Sequence, residues 1–204
     1  MNFGTLRPEQ LDALREISNI GIGHAATALS QLIGSKVELY VPRVTVAPIS
    51  EVPDIIGGPE TLIAGIYIQM YGDARGNILL TFPRQSVTRL LGMLLPGGEM
   101  TGEGILTEYA ASALREIGNI LAGAYLNALG GLLSLTLITG VPAVAFDMAG
   151  AVVDYILIEL GAVGDLTLVI ETEFFGDPEV RGHFFVLPDP ASLEVMLAAG
   201  NLMP

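Results

Sequence analysis

The segment Ala13–Ile20, ALREISNI, returns as Ala113–Ile120, ALREIGNI, with seven identities in eight positions at an offset of 100 residues. Extended to 13–44 against 113–144, the match holds fourteen identities in 32 positions without a gap, among them Gly23/Gly123, Leu29/Leu129, Val41/Val141 and Pro42/Pro142. One structural unit is therefore written twice, and any fold must accommodate two related halves. The later parts of the copies also correspond. Gly72-Asp73 followed by Arg75-Gly76 resembles Gly176-Asp177 followed by Arg181-Gly182, and measured from Arg75 to Arg181 the offset is 106, so extra residues entered the second copy between about 145 and 181.

A chain of 204 residues can bury a substantial core, and repeats at about 8–95 and 105–200 fit one domain. Twenty-two Asp and Glu against nine Lys and Arg give a formal charge of −13, and Lys36 is the one lysine. Nucleic acid and anionic membrane surfaces are disfavoured as partners, because both demand a basic face. Cysteine is absent, which removes disulfides, thiolate nucleophiles and cysteine-based zinc sites. His24 and His183 lie far apart in the sequence and outside metal-ligand spacing, so no metal site is expected. Met1–Thr5 lacks the basic and then apolar profile of a signal peptide, and a cytoplasmic location is expected. The uncharged stretch Ile120–Phe146 is long enough to span a bilayer, but Asn127, Gly130-Gly131, Pro142 and the alternation Leu133-Ser134-Leu135-Thr136-Leu137 read as helix end, turn and strand.

Each copy opens with a long helix. Pro8 suits its first position and Gly34 its stop, while Thr107 suits the N-cap of the second, with Glu108 behind it. Strands are expected at about 36–47 and 133–145, with hairpins over Leu62–Tyr71 and Gly76–Phe82 and over Leu166–Phe175 and Arg181–Leu187. Short helices close the copies near 84–95 and 190–199, and Pro96–Gly104 is the natural join. The extra residues of the second copy predict a helix at about 147–160, where the first copy has the loop-like Ser50–Glu60. Two readings of that helix stand open: a cover for a sheet edge, or a docking surface that one half alone possesses.

At 3.6 residues per turn, Asp12, Glu16, Asn19 and Gly23 fall within an arc of about 60° on the first helix, opposite Leu14, Ile17, Gly21 and Ala25. Ser112, Glu116, Asn119 and Gly123 repeat the stripe on the second. Any amphipathic helix has a polar outer face. A solvent face, however, needs no particular residue, whereas Asn and Gly in mid-helix each cost up to about 1 kcal/mol against Ala. Both copies carry that cost at matching positions.

Each stripe has one Glu, so paired carboxylates for glycosidic chemistry are missing, and no nucleophile elbow, P-loop or GxGxxG context is present. An exposed Asn can orient a water molecule without adding a charge that repels a phosphoryl group. A Glu one turn earlier can pair with a cation on the molecule carrying that group. Such a device completes another protein's active site.

The doubled pattern Asp12-x3-Glu16-x2-Asn19-x3-Gly23 and Ser112-x3-Glu116-x2-Asn119-x3-Gly123 resembles the signature of the CheC/CheX/FliY phosphatases of chemotaxis. The likeness covers nearly the whole chain, including Ala25–Ser30 and the Val41-Pro42-x-Val44 run. Two motifs in this length resemble CheC-type members; CheX-type proteins are shorter with one motif, and FliY carries a further switch domain with no room here. The resemblance implies an α+β, pseudo-twofold duplicated fold, with two long motif helices side by side on a shared, mainly antiparallel β-sheet. It implies a protein aspartyl-phosphate phosphatase, a hydrolase acting on phosphorylated CheY. In that scheme Asn19 and Asn119 place the attacking water, and Glu16 and Glu116 contact the regulator's lysine. Asp12, Gly23, Ser112 and Gly123 shape the contact. No cofactor of its own is implied, since Mg2+ belongs to the regulator's acidic pocket. The family also implies the receptor deamidase CheD as a partner, with Asp147 and the helix after it as the docking candidate. An adaptor that sequesters phospho-CheY or regulates CheD is the alternative, and a flagellar switch component a third reading.

Overall fold

In a computed structural model, residues 6–94, 106–160, 166–176 and 180–201 are described. The join at Pro96–Gly104 lies outside them. Helix α1 spans Pro8–Ile33, with proline in its first turn, the Arg7 N–H donating to Gln10 Oε1 at 2.9 Å, and Gly34 closing it at φ 68°. Helix α4 spans Glu108–Leu133; Thr107 Oγ1 accepts the Ala110 N–H at 3.1 Å, as its N-cap position predicts. The remaining elements are β1 (Val37–Pro48), α2 (Val52–Ile56), β2 (Leu62–Gly72), β3 (Gly76–Pro83), α3 (Arg84–Leu94), β4 (Leu137–Thr139), β5 (Ala143–Met148), α5 (Ala149–Leu160), β6 (Leu166–Gly176), β7 (His183–Pro188) and α6 (Pro190–Ala199).

All strands join one antiparallel sheet in the order β1-β6-β7-β3-β2-β4, with β5 also on β2. The order intertwines the repeats. The first strand of each copy pairs with the second strand of the other, β1 on β6 and β4 and β5 on β2, while β3 and β7 meet at the centre. Hydrogen bonds repeat the exchange: the Arg75 N–H donates to Ser192 Oγ at 2.6 Å, and the Arg181 N–H to Ser86 Oγ at 2.8 Å. Each half thereby supplies groups that the other would leave unpaired.

Strand alternation divides the sheet into two buried faces. Ala64, Ile66, Ile68, Leu80, Phe82 and Phe184 meet the front helices α1, α4, α3 and α6 through Leu14, Ile22, Leu29, Leu114, Leu121, Leu90 and Leu193. Ile63, Leu79 and Phe185 point to the reverse face, where Val152, Val153 and Ile156 of α5 and Val52 and Ile56 of α2 cover them. The front helices pack through size complementarity. Gly21 of α1 lies so close to Tyr125 of α4 that a Cβ would come within 2.8 Å of its ring, and a Cβ at Gly118 would come within 2.6 Å of Ile66.

The structure corrects four expectations. Ser50–Glu60 is not a plain loop: a 3-10 turn at Ile49–Glu51 leads into α2, whose Val52, Pro53 and Ile56 are buried. Helix α4 runs through Gly130-Gly131 to Leu133 and ends on Ser134 at φ 56°, so 133–136 are not strand. Gly130 is required there because a Cβ would meet the Leu135 carbonyl oxygen at 2.5 Å. The strand placed at 133–145 is two pieces, β4 and β5, separated at Gly140–Pro142. Finally, α5 covers more than an edge: it lies against the outer strand β5 and extends over the reverse face of β2, where a Cβ on Gly65 would meet Val152 at 2.5 Å. Among the described residues no helix is long and apolar enough to cross a membrane.

Candidate functional site

The stripes lie where the helical arithmetic puts them. Asp12, Glu16 and Gly23 are exposed and Asn19 is half-buried on α1; Ser112, Glu116 and Asn119 are exposed and Gly123 is partly so on α4. Leu14, Gly21 and Ala25 behind the first stripe, and Leu114, Gly118 and Leu121 behind the second, are buried against the core. Two kinds of helical glycine result. Gly21 and Gly118 are demanded by packing, whereas a Cβ at Gly23 or Gly123 would meet nothing within 4 Å. The fold itself gives no reason for glycine at the two motif positions.

Asn19 Oδ1 accepts the Val41 N–H at 3.0 Å, which places the first stripe beside β1. The second stripe borders an open groove of about 750 Å³ between Ser112, Glu116 and Asn119 of α4 and the Gly140–Pro142 link. Since β1 and the β4/β5 pair lie at opposite edges of the sheet, the two stripes face separate surroundings. Glu16 and Glu116 are not brought together as a carboxylate pair.

Cations complete each site differently. Arg15 Nη2 stands 3.5 Å from Asp12 Oδ1, while Arg115 Nη1 reaches past Ser112 to Glu108 Oε1 at 3.0 Å. Both pairs are solvent-exposed and contribute little to stability. Among the described residues, no three His, Asp or Glu side chains converge as a metal site. Asp147 is exposed at the end of β5, its Oδ1 accepting the Met148 N–H at 2.7 Å, and it lies on the reverse face with α5, away from both stripes. Met148, Tyr155 and Ile158 are exposed, and Asp147 and Tyr155 line a common cavity of about 400 Å³.

Sequence reasoning did not assign a role to the Val41 main chain, nor to Tyr109, Arg115 and Val141 at the second groove. The signal was the recurrence of Val41-Pro42 as Val141-Pro142, noted as part of the repeat.

Residues 9–46 match the model of the CheC-like family, and residues 64–151 match that of the chemotaxis phosphatase CheX. The chain is 37% identical over 201 residues to the CheY-P phosphatase CheC of Bacillus subtilis, covering 97% of this chain and 96% of that protein. The chain belongs to the CheC family. This CheC-family chain is also 36% identical over 113 residues to the flagellar motor switch phosphatase FliY of the same organism, covering 55% of this chain and 29% of that one. Among solved structures, Thermotoga maritima FliY superposes with a TM-score of 0.77 at 22% identity, covering 97% of this chain and 98% of that one. That likeness supports the α+β fold expected of a CheC-family member.

Proposed function

We propose that this chain hydrolyses the aspartyl phosphate of a phosphorylated CheY-type response regulator, with Asn19 and Asn119 each placing the attacking water. The observation that carries the reading is the doubled, outward-facing Glu/Asn pair beside a glycine that meets open space. The name of the CheC relative, CheY-P phosphatase, supports the substrate class.

The chain needs no nucleophile of its own in this scheme. Water attacks phosphorus, the bond from phosphorus to the aspartyl oxygen breaks, and inorganic phosphate and a free carboxylate result. The Asn amide orients the water in line, an effect of proximity and orientation. Glu16 or Glu116, one turn away on the same face, pairs with the regulator's lysine near its phosphoryl group. Asp12, Ser112, Gly23 and Gly123 shape the approach, the glycines by removing side chains where the regulator's loop arrives. Magnesium is assigned to the regulator's pocket and none to this chain. The repeats at about 8–95 and 105–200 act as one domain in the cytoplasm.

A second partner is proposed for the reverse face. The exposed Met148, Tyr155 and Ile158 lie with Asp147 on the β5–α5 segment, whose helix only the second copy has, and they fit the CheD-docking role implied by the family. The test of the main reading separates binding from chemistry. Glu16→Ala with Glu116→Ala should weaken capture of a phosphorylated regulator and slow its decay together. Unchanged affinity in that double variant would contradict the assigned lysine contact.

A further inference from the structure

The two sites share a motif but hold their asparagines in different states. The pairing is irregular at the Val-Pro step in both copies, as a bulge within β1 and as the break between β4 and β5. In β1 the register passes from Tyr40–Glu173 to Arg43–Glu171, one extra residue, and on β2 it passes from Met70–Thr139 to Tyr67–Ala143 with one extra residue as well. A bulge leaves a main-chain group off the ladder, and the copies dispose of it differently. In the first, Val41 is 4% exposed and its freed N–H donates to Asn19 Oδ1 at 3.0 Å. In the second, Gly140, the match of Tyr40, stays on β2 with its N–H donated to the Gln69 carbonyl at 2.7 Å, while Val141, the match of Val41, stands 90% exposed. Among the described residues, neither the Val141 N–H nor the Asn119 carboxamide has a hydrogen-bond partner.

The sequence difference behind this is Tyr40 against Gly140. A Cβ at position 140 would meet the Tyr71 ring at 2.9 Å and the Gln69 carbonyl oxygen at 3.1 Å, so only glycine lets the chain approach β2 there and turn Val141 outward.

We infer that the Val41 N–H is a positioning group that latches the first site, and that the second site, with Asn119 unengaged, carries most of the turnover. This deepens the phosphatase reading and rests on it. A water aimed at phosphorus is best oriented by donating one hydrogen to the amide oxygen, leaving a lone pair in line. At Asn119 that oxygen is free. At Asn19 one of the oxygen's two lone pairs already accepts the Val41 N–H and the residue is half-buried, so the first site offers a water a single, less accessible acceptor position unless the contact between α1 and β1 loosens.

Two measurements on the full chain test this: decay of a phosphorylated CheY-type regulator with Asn19→Ala and Asn119→Ala singly, and amide hydrogen exchange at Val41 and Val141. The expected result is a loss of at least tenfold in turnover for Asn119→Ala and less than twofold for Asn19→Ala. Val41 exchange should accelerate at least tenfold in Asn19→Ala, while Val141 exchanges fast in every variant. Equal losses, or the larger loss at Asn19, would overturn the inequality of the sites. Unchanged Val41 exchange in Asn19→Ala would overturn the latch. Absence of any acceleration by the wild-type chain would remove the phosphatase reading instead, and exchange alone would then decide the latch.

Discussion

The ring of Tyr125 fills the space that a side chain at Gly21 would need, with a Cβ at position 21 coming within 2.8 Å of it. Residue 121, which matches Gly21, is leucine, and residue 25, which matches Tyr125, is alanine, so one large ring set into one gap joins two helices that descend from the same sequence. Tyr125 also packs against Phe184 of the central strand β7, with ring centroids 5.1 Å apart and ring planes tilted by 53°. Gly21→Ala should therefore destabilise the fold by about 1–3 kcal/mol, the usual cost of overpacking. Urea unfolding reads it, and an unchanged midpoint would mean that the helices separate without cost.

The motif glycines predict the opposite sign. Gly23→Ala and Gly123→Ala introduce a methyl into open space and remove the helix penalty of glycine, so each should stabilise by up to about 1 kcal/mol. Each should also raise KM for a phosphorylated regulator, since the methyl stands where the partner approaches. A thermal melt and steady-state decay of the regulator check the pair. Raised stability with unchanged KM would leave these glycines without a role in docking.

The Tyr125 hydroxyl is fully buried without a geometrically sound hydrogen-bond partner. Burial pushes its pKa up to about 12, and the nearby Ser18 offsets only part of that. The folded pKa is thus above the unfolded value near 10, so its contribution is complete below pH 10 and is lost as pH rises towards 12. Two pH units at 1.36 kcal/mol each give a loss of about 3 kcal/mol over that window. Unfolding midpoints at pH 9 and pH 11.5 should diverge in the wild type and converge in Tyr125→Phe. Equal slopes in both proteins would show that another group governs alkaline unfolding.

On the reverse face, Ile158→Asp and Asp147→Lys change exposed side chains and should leave the fold and basal hydrolysis intact. Both should weaken a CheD complex if α5 is its dock. Pull-down or calorimetry with CheD reads this directly, and full affinity in both variants would return α5 to a purely structural role.

Much of this molecule was legible because its signals are local. Pro8, Gly34 and Thr107 mark helix ends through backbone chemistry, and the hairpins announce themselves by alternation around Gly72-Asp73. The polar stripes follow from the helical period and needed only the repeat to set them apart from an ordinary outer face. What escaped was set by tertiary contact. Val52–Ile56 is too short to show a period, and it forms because Val52 and Ile56 pack under α5. Gly130-Gly131 resembles a stop, yet the helix continues because Gly130 admits the Leu135 carbonyl at close range. The exchange of first strands between the copies, and the different fates of the Val41 and Val141 N–H groups, depend on pairings across more than 60 residues that no window of sequence displays.

The central claim is that an asparagine amide on each stripe places the water that attacks the phosphoryl group. It is tested by following decay of a phosphorylated CheY-type regulator with wild type and with the Asn19→Ala, Asn119→Ala double variant, while measuring binding of the same regulator. Wild type should accelerate decay, and the double variant should lose the acceleration while still binding. Acceleration retained by the double variant would contradict the assigned role of the two asparagines.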